Sequence, residues 1–311
     1  MQPRATRILR RPRLLIVGCG DVGLRVLRLL RARWHVFALT HSPSRRALLR
    51  AAGATPLTAD LDDAASLARL ARLADAVLHL APPTGDGAHD ARTAALLAAL
   101  ARGRVRRLVY ASTSGVYGDC GGAWVRETRT PRPVTDRARR RADAEARVRA
   151  HARAHHVRAT ILRVPGIYAF DRDGGDPRER VRRGAAALVA ADDVFTNRVH
   201  ADDLARACML ALLRGPTMRT IHVNDDDAST MGDHLDRVAD LCGLARVPRL
   251  TREQARERLS PLQLSFLGES RRLDNTRMKR ELRLVLRHPT VEAALSALPA
   301  AAPDATRPAS A

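Results

Sequence analysis

Aromatic residues and lysine are scarce in this chain. Of its 311 residues only 3% are Phe, Trp or Tyr while 45% are hydrophobic, so Ala, Leu and Val must build any core. Lys279 is the only lysine, and nearly all of the basic charge behind the formal net charge of +21 is therefore arginine. Proteins that bind single strands by stacking combine basic residues with aromatic ones, and this chain does not. We predict a solvated basic surface and no dedicated nucleic-acid site.

Long apolar runs and paired cysteines are also missing. No apolar stretch approaches the roughly 20 residues that a membrane-spanning helix needs, so we predict no membrane segment. The cysteines form no C-x-x-C pair and no metal-ligand spacing; they are Cys19, Cys120, Cys208 and Cys242. This pattern predicts reduced thiols, a cytoplasmic location and no bound metal.

A glycine-rich turn follows the first apolar run. The run Leu14–Val17 predicts a buried strand, and the apolar spacing around Gly23 predicts one face of a helix. A strand, G-x-G-x-x-G and a helix in this order form the dinucleotide-binding fingerprint, in which the helix N-terminus receives the pyrophosphate. Gly18 permits the turn, and Gly20 lets the backbone approach the phosphates. We predict that a dinucleotide contacts Gly18, Gly20, Asp21, Val22 and Gly23.

Strand and helix patterns alternate after this turn. Such alternation predicts an α/β fold, a doubly wound parallel Rossmann sheet with a smaller C-terminal lobe for the substrate. We assign residues 14–165 to the Rossmann domain and residues 166–298 to the smaller lobe, with about 196–224 returning to the Rossmann core. Residues 1–13 are interpreted as a basic lead-in, and the Ala- and Pro-rich residues 299–311 as a disordered tail.

The end of the second predicted strand favours a phosphorylated cofactor. The fingerprint places an acidic residue about 20 positions after the glycines, where it binds the ribose 2′-hydroxyl, and none is present here. A hydroxyl and two arginines follow the strand instead, at Ser42, Arg45 and Arg46. Because arginine suits a 2′-phosphate, we predict NADP as the cofactor; NAD is the alternative, if the two arginines only begin a helix.

Five further segments carry motifs in a characteristic order. Tyr110–Gly118 contains S-T-x-x-V-Y-G, and Asp60–Asp63 is acidic after the third predicted strand. Leu78–Ala81 follows the form H-x-A, Leu162–Tyr168 contains R-x-P-x-x-Y, and Asn197–Ala205 contains H-x-D-D-x-A. Together these motifs resemble those of the extended short-chain dehydrogenases/reductases, the NAD-dependent epimerase/dehydratase family, and the chain is identified as an atypical member.

That resemblance covers about residues 14 to 295 and implies roles for further side chains. Thr113 matches the family's Ser or Thr that hydrogen-bonds a substrate oxygen. The implied cofactor contacts are Asp60, Leu61, Leu80, Ala81, Arg163 and Pro165. The implied substrate contacts are Ser114, Tyr168, Asn197 and His200.

The residue pair on which this family's redox chemistry depends is missing. Members carry Tyr-x-x-x-Lys on the helix after strand five, where the phenol moves a proton and the lysine lowers its pKa. None of Tyr110, Tyr117 and Tyr168 has a lysine four positions later, and the two positions of the pair fall on Arg137 and Arg141. Arginine stays protonated and is a poor general base.

Two functions are open on these grounds. The first is an NAD(P)-binding, epimerase/dehydratase-like oxidoreductase for a polar or sugar-like small molecule. Its catalytic candidates are Thr113, Tyr117 and, in the place of the family lysine, Arg141. Packing is the alternative role for Tyr117, because a tyrosine without a cationic neighbour keeps a pKa of about 10. The second function is a non-catalytic protein that senses NADP(H). No oligomeric state is predicted.

Overall fold

The computed structural model describes residues 11–85 and 87–298. The tail at residues 299–311 and most of the predicted basic lead-in lie outside these ranges. The first strand begins at Arg13, one residue before the predicted start of the Rossmann domain. Within the described ranges, no helix has the length and apolar character that crossing a membrane requires.

Seven of the strands form a parallel sheet. The strands of the described residues are β1 (Arg13–Val17), β2 (His35–Thr40), β3 (Thr55–Thr58), β4 (Ala76–His79), β5 (Arg107–Thr113), β6 (Trp124–Val125), β7 (Arg158–Val164), β8 (Gly166–Tyr168), β9 (Ala187–Leu188), β10 (Arg198–His200), β11 (Arg219–His222), β12 (Arg249–Leu250) and β13 (Arg272–Leu273). The sheet has the order β11-β7-β5-β4-β1-β2-β3, and three separate pairs join β10 to β8, β12 to β9 and β13 to β6.

Helices connect these strands. The α-helices are α1 (Asp21–Leu30), α2 (Arg46–Ala51), α3 (Ala91–Leu100), α4 (Asp136–Ala154), α5 (Pro177–Arg182), α6 (Ala201–Arg214), α7 (Met231–Leu241), α8 (Arg252–Arg258), α9 (Pro261–Leu267), α10 (Thr276–Glu281) and α11 (Val291–Ser296). Short 3₁₀ helices span Pro43–Arg45, Ala64–Leu70 and Ser114–Tyr117.

Both faces of the central sheet are buried under helices. Side chains alternate between the two faces of a strand, so Leu14 and Ile16 of β1 point one way and Leu15 and Val17 the other. The first pair belongs to a core that also contains residues of α1 and α6. The second pair belongs to a core built with residues of α3 and α4. This arrangement confirms the predicted doubly wound parallel sheet.

The strand order places a crevice beside β1. The chain passes from β1 to β2 on one side and later adds β4 on the other side. Connections leave the sheet in opposite directions at such a point, and ligands of open α/β sheets bind at the carboxyl ends of the strands there. The glycine turn follows β1, and the segment around Ala81 follows β4, so both border this crevice.

A further, smaller core lies among the later elements. It contains Val181 of α5, Leu235 of α7, Leu250 of β12 and Val291 of α11, all of them buried. The elements α6 and β11 instead belong to the central sheet and its helical layer: α6 packs against α1, and β11 pairs with β7. The later part of the chain therefore contributes both to the sheet and to the small core.

Candidate active site

The glycine turn makes a close contact with the segment after β4. Gly18 has a φ of +83°, and a Cβ atom there would lie 2.4 Å from the backbone nitrogen of Ala81. Gly23 packs against β1, since its Cβ would lie 3.4 Å from Ile16 Cγ2. A Cβ on Gly20 would meet nothing within 4 Å. The turn is therefore closed toward the sheet at Gly18 and open toward the crevice at Gly20.

A cavity of about 530 Å³ lies along this turn. We call it the cofactor cavity. It extends from the ends of β2 and β3 to the ends of β5 and β7, which suits an elongated dinucleotide. Of the predicted cofactor contacts, it brings together Gly18, Gly20, Asp21, Val22, Gly23, Arg45, Asp60, Leu61, Leu80, Ala81 and Pro165.

The predicted contacts Ser42, Arg46 and Arg163 do not line this cavity. The Ser42 hydroxyl lies 2.8 Å from that of Ser44, and Arg46 is exposed at the start of α2. Of the three residues after β2 that were predicted to bind a 2′-phosphate, only Arg45 lines the cavity. Its Nη2 donates a hydrogen bond to the Cys19 carbonyl. One arginine therefore remains of the three predicted contacts with a 2′-phosphate.

The Arg163 side chain is buried between the central sheet and α4 and does not reach the crevice. Its Nε and Nη2 donate to the two carboxylate oxygens of Glu145 at 2.9 and 2.7 Å. Its side chain is 2% exposed. Because strand residues alternate, Arg163 shares a face with Ile161 and points toward α4, which carries Glu145. The expected contact between Arg163 and the cofactor is therefore corrected to a structural ion pair.

Tyr117 belongs to the same buried network. Its hydroxyl accepts from Arg163 Nη1 at 2.6 Å and lies 2.6 Å from His222 Nε2. Burial raises the pKa of Tyr117 to about 12 and lowers the pKa of His222 to about 3. Tyr117 lines neither the cofactor cavity nor the larger cavity beside it. This geometry corrects the catalytic assignment of Tyr117 in favour of the packing alternative.

We expect Tyr117→Phe to destabilise the protein by about 1–3 kcal/mol, because it removes the hydroxyl that accepts from a buried N–H of Arg163 and donates to the buried Nε2 of His222. Urea unfolding measures this cost. Tyr168→Phe is the matched control, since its hydroxyl makes only a 3.4 Å hydrogen bond to the Thr290 carbonyl. A Tyr117→Phe protein with unchanged stability and lost activity would return Tyr117 to the catalytic residues.

The larger cavity measures about 1190 Å³ and opens beside the ends of β5 and β8. We call it the substrate cavity. Thr113, Ser114, Arg141 and Asn197 line it, and they are four of the residues for which a catalytic or substrate-binding role is predicted. Its boundary with the cofactor cavity, which we call the junction, consists of the residues that line both cavities: Pro82, Thr113, Arg141, Pro165 and Arg172.

Tyr168 and His200 lie outside both cavities. The Tyr168 ring meets the His200 ring edge-on at 5.2 Å between centroids, and both side chains are buried. His200 Nδ1 accepts the backbone N–H of Asp202 and so begins α6. The structure assigns these two residues to packing between β8, β10 and α6, which corrects the implied substrate contacts.

One group of potential metal ligands has no signature in the sequence. Ligand atoms of His200, Asp202 and His288 lie within 4.8 Å of one another. Asp202 Oδ1, however, accepts from Arg25 Nη1 at 2.6 Å, and His200 Nδ1 is occupied by a backbone N–H. His288 is far from the other two in sequence, so no spacing could have indicated the group. We assign no metal to it.

Arginines supply most of the charge of the substrate cavity. Arg172 pairs with Asp21, Arg198 with Asp227 and Arg271 with Glu269. Other arginines that line the cavity form no ion pair with any described carboxylate; these are Arg137, Arg141, Arg180 and Arg183. The sequence showed the excess of arginine but could not show which of these side chains would gather around one space.

Two arginines occupy the positions at which the sequence analysis places the missing Tyr-x-x-x-Lys pair. Arg137 and Arg141 are four positions apart on α4, and both line the substrate cavity. Arg141 also reaches the cofactor cavity. The two positions predicted for the catalytic pair therefore supply two arginines to the substrate cavity. They supply neither a phenol nor a lysine.

The fold and the glycine turn define a Rossmann-type protein. A model of the NAD dependent epimerase/dehydratase family matches residues 14–224. The match extends over more than half of the chain and includes all of the central sheet except Arg13. The chain belongs to the NAD dependent epimerase/dehydratase family.

Several solved structures share this fold. A functionally unknown conserved protein from Silicibacter pomeroyi is 28% identical, with a TM-score of 0.77 over 92% of this chain and 98% of that one. UDP-glucuronic acid 4-epimerase from Bacillus cereus, solved with NAD, is 18% identical, with a TM-score of 0.70 over 91% and 95%. A dTDP-glucose 4,6-dehydratase double mutant from Streptomyces venezuelae, also with NAD, is 22% identical, with a TM-score of 0.72 over 90% and 94%. No curated protein matches the chain.

Proposed function

We propose that this protein is an NADP(H)-binding, epimerase/dehydratase-like oxidoreductase that acts on a polar or sugar-like small molecule. The observation that carries the proposal is the junction, where Thr113 and Arg141 line the cofactor cavity and the substrate cavity at once. Ligands of the two cavities would meet there. The nicotinamide, when bound, would supply or accept a hydride.

The cofactor cavity fits a dinucleotide at its phosphate end. The turn is open at Gly20, where even a Cβ would meet nothing within 4 Å, and α1 begins immediately after it at Asp21. The unpaired backbone N–H groups and the positive dipole end of a helix N-terminus favour phosphate. Gly18 to Gly23 would therefore hold the pyrophosphate, with the adenosine toward Asp60 and the nicotinamide toward Thr113.

Thr113 is the candidate for direct contact with the substrate. Its Oγ1 accepts the backbone N–H of Gly115 at 3.2 Å, so its hydroxyl proton is available for a substrate oxygen. Asn197 has a supporting role, because its amide nitrogen donates to the Arg271 carbonyl and its amide oxygen accepts from Leu273 N–H. These bonds hold Arg271 at the wall of the substrate cavity.

We expect Arg45→Ala to weaken NADPH binding by about ten- to hundredfold, the equivalent of one lost hydrogen bond between charged groups, and to leave NADH binding nearly unchanged. Arg46→Ala is the matched control, because Arg46 is its exposed neighbour outside the cavity. Calorimetric titration of both cofactors measures the difference. Equal affinity of the unmodified protein for NADPH and NADH would contradict the NADP preference.

One observation favours a second function, a non-catalytic protein that senses NADP(H). The residues of the junction are Pro82, Thr113, Arg141, Pro165 and Arg172, and none of them is a His, Asp, Glu, Lys, Tyr or Cys, the residue types that act as general acids and bases. Such a junction would bind ligands without moving a proton. Hydride transfer in a single turnover separates the two functions, since a sensor binds NADPH and does not oxidise it.

A further inference from the structure

We infer that the substrate carries a carboxylate at its reacting end, and that Arg137 and Arg141 bind this carboxylate beside Thr113. The inference rests on the proposed function, because it names the class of molecule that the substrate cavity accepts. A small organic acid, such as a 2-oxo or 2-hydroxy acid, has this chemistry.

Arg141 is held in place from one side only. Its Nη1 donates to the Ala111 carbonyl at 2.9 Å, to the Tyr110 hydroxyl at 3.1 Å and to the Ala81 carbonyl at 3.5 Å. These three acceptors are uncharged, so they orient the guanidinium without neutralising it.

The other edge of Arg141 is free among the described residues. No hydrogen bond involves its Nε or Nη2, and neither atom is among the buried polar atoms that lack a partner. Both atoms are therefore accessible to solvent, and Arg141 lines both cavities. An Nε–Nη2 edge offers two parallel N–H groups, the geometry that binds a carboxylate through both of its oxygens.

Arg137 adds a second cation one helical turn earlier. Its Cζ lies 5.0 Å from the centroid of the Phe266 ring, a cation–π contact with α9 that positions the guanidinium in the substrate cavity. It forms no ion pair with any carboxylate of the described residues. Residues four apart on a helix share a face, so Arg137 and Arg141 act on the same part of the cavity.

The unpaired charge around Thr113, Arg137 and Arg141 is mainly positive, which favours an anionic ligand. Thr113 offers a hydroxyl proton, and the two arginines offer only N–H groups, so all three are donors. Four of the five carboxylates that line the substrate cavity are already paired with arginines; these are Asp171, Asp176, Glu179 and Glu269. Among the described residues Asp173 alone of the five forms no ion pair, against four arginines of the wall that form none. A bound carboxylate would accept from the arginines, and an oxygen on its neighbouring carbon would accept from Thr113.

Binding experiments on the full chain test this inference without relying on turnover. Protein saturated with NADPH is titrated calorimetrically with pyruvate, 2-oxobutyrate and 2-oxoglutarate, and with the methyl ester of each. We expect at least one acid to bind, its ester to bind at least about tenfold more weakly, and Arg141→Gln to weaken the acid by about ten- to hundredfold. Arg137→Gln should weaken it in the same direction.

Arg139→Gln is the matched control on the same helix. Arg139 is exposed, pairs with Asp136 and lines neither cavity, so acid binding should be unchanged in this variant. The inference is overturned if no acid binds, if acid and ester bind equally, or if Arg139→Gln causes the same loss as Arg141→Gln. Binding of inorganic phosphate in place of the acids would also overturn it and would indicate a phosphate site.

The same preparations separate this inference from the proposed function. NADPH is titrated first, in the absence of any acid. Failure to bind NADPH would contradict the proposed function, whereas NADPH binding without acid binding would contradict the inference alone. Melting temperatures of the unliganded variants show whether Arg137→Gln and Arg141→Gln fold, and a misfolded variant is replaced by Arg141→Lys, which keeps the charge and loses the two-pronged edge.

Discussion

Gly20→Asp should abolish the stabilisation of this protein by NADPH while leaving its fold intact. The substitution places a carboxylate at the one glycine of the turn that faces the crevice, where the pyrophosphate would lie. Repulsion between like charges and loss of the close backbone approach then act together. The fold should tolerate the change, because Gly20 has a φ of −81° and a Cβ there meets no atom within 4 Å.

Thermal unfolding with and without NADPH measures this prediction. A ligand at 100 times its Kd stabilises the folded state by about 2.7 kcal/mol, and the variant should lose nearly all of that gain. Gly20→Ala is the matched control, since it adds a Cβ without a charge and should keep part of the gain. Undiminished stabilisation of Gly20→Asp by NADPH would exclude the glycine turn as the phosphate site.

The sequence was sufficient for the sheet and the glycine turn because both depend on local patterns. Apolar runs predicted the buried strands, and the spacing of Gly18, Gly20 and Gly23 predicted the turn and the helix after it. Each of these glycines has a distinct environment in the structure, from the tight contact of Gly18 with Ala81 to the open space at Gly20. Features that a few consecutive residues determine are thus the ones that could be predicted.

The side chains that the sequence misplaced depend on partners far along the chain. Strand alternation alone puts Arg163 on the face of Ile161, away from the crevice, and this signal was present in the sequence. Its partner Glu145 lies 18 positions away, and the His222 that meets Tyr117 lies 105 positions away. No local pattern indicates such a pairing, so motif resemblance suggested a cofactor contact where the structure has a buried ion pair.

The substrate cavity also depends on long-range contacts. Arg172 comes from the loop after β8 and reaches Asp21, 151 positions earlier, at 2.7 Å. Phe266 of α9 packs on Arg137 of α4 across a similar distance in sequence. Motifs could place Thr113 and Arg141 at the end of β5 and on the next helix. They could not show which residues of the later segments would enclose them.

The unmodified protein should oxidise NADPH with neutral carbonyl and sugar-nucleotide substrates about a hundred- to ten-thousand-fold more slowly than relatives that carry Tyr-x-x-x-Lys. General acid/base catalysis typically contributes a factor of that size. Here Arg137 and Arg141 line the substrate cavity in place of the pair, and an arginine that is always protonated cannot exchange the proton. Thr113 can orient a substrate oxygen, but a hydroxyl without an adjacent base does not replace a tuned phenol.

Installing the missing pair tests whether its absence limits the rate. Arg137→Tyr combined with Arg141→Lys should raise single-turnover NADPH oxidation on neutral carbonyl substrates, because the lysine would lie one helical turn from the phenol and lower its pKa. Arg137→Tyr alone is the control. Its phenol keeps a pKa of about 10, so the rate of this variant should rise far less. A wild-type rate equal to that of relatives with the pair would contradict the prediction.

Tight NADPH binding without hydride transfer, even to carboxylate-bearing substrates, would instead favour the NADP(H)-sensing function, because the junction would then hold its ligands without chemistry.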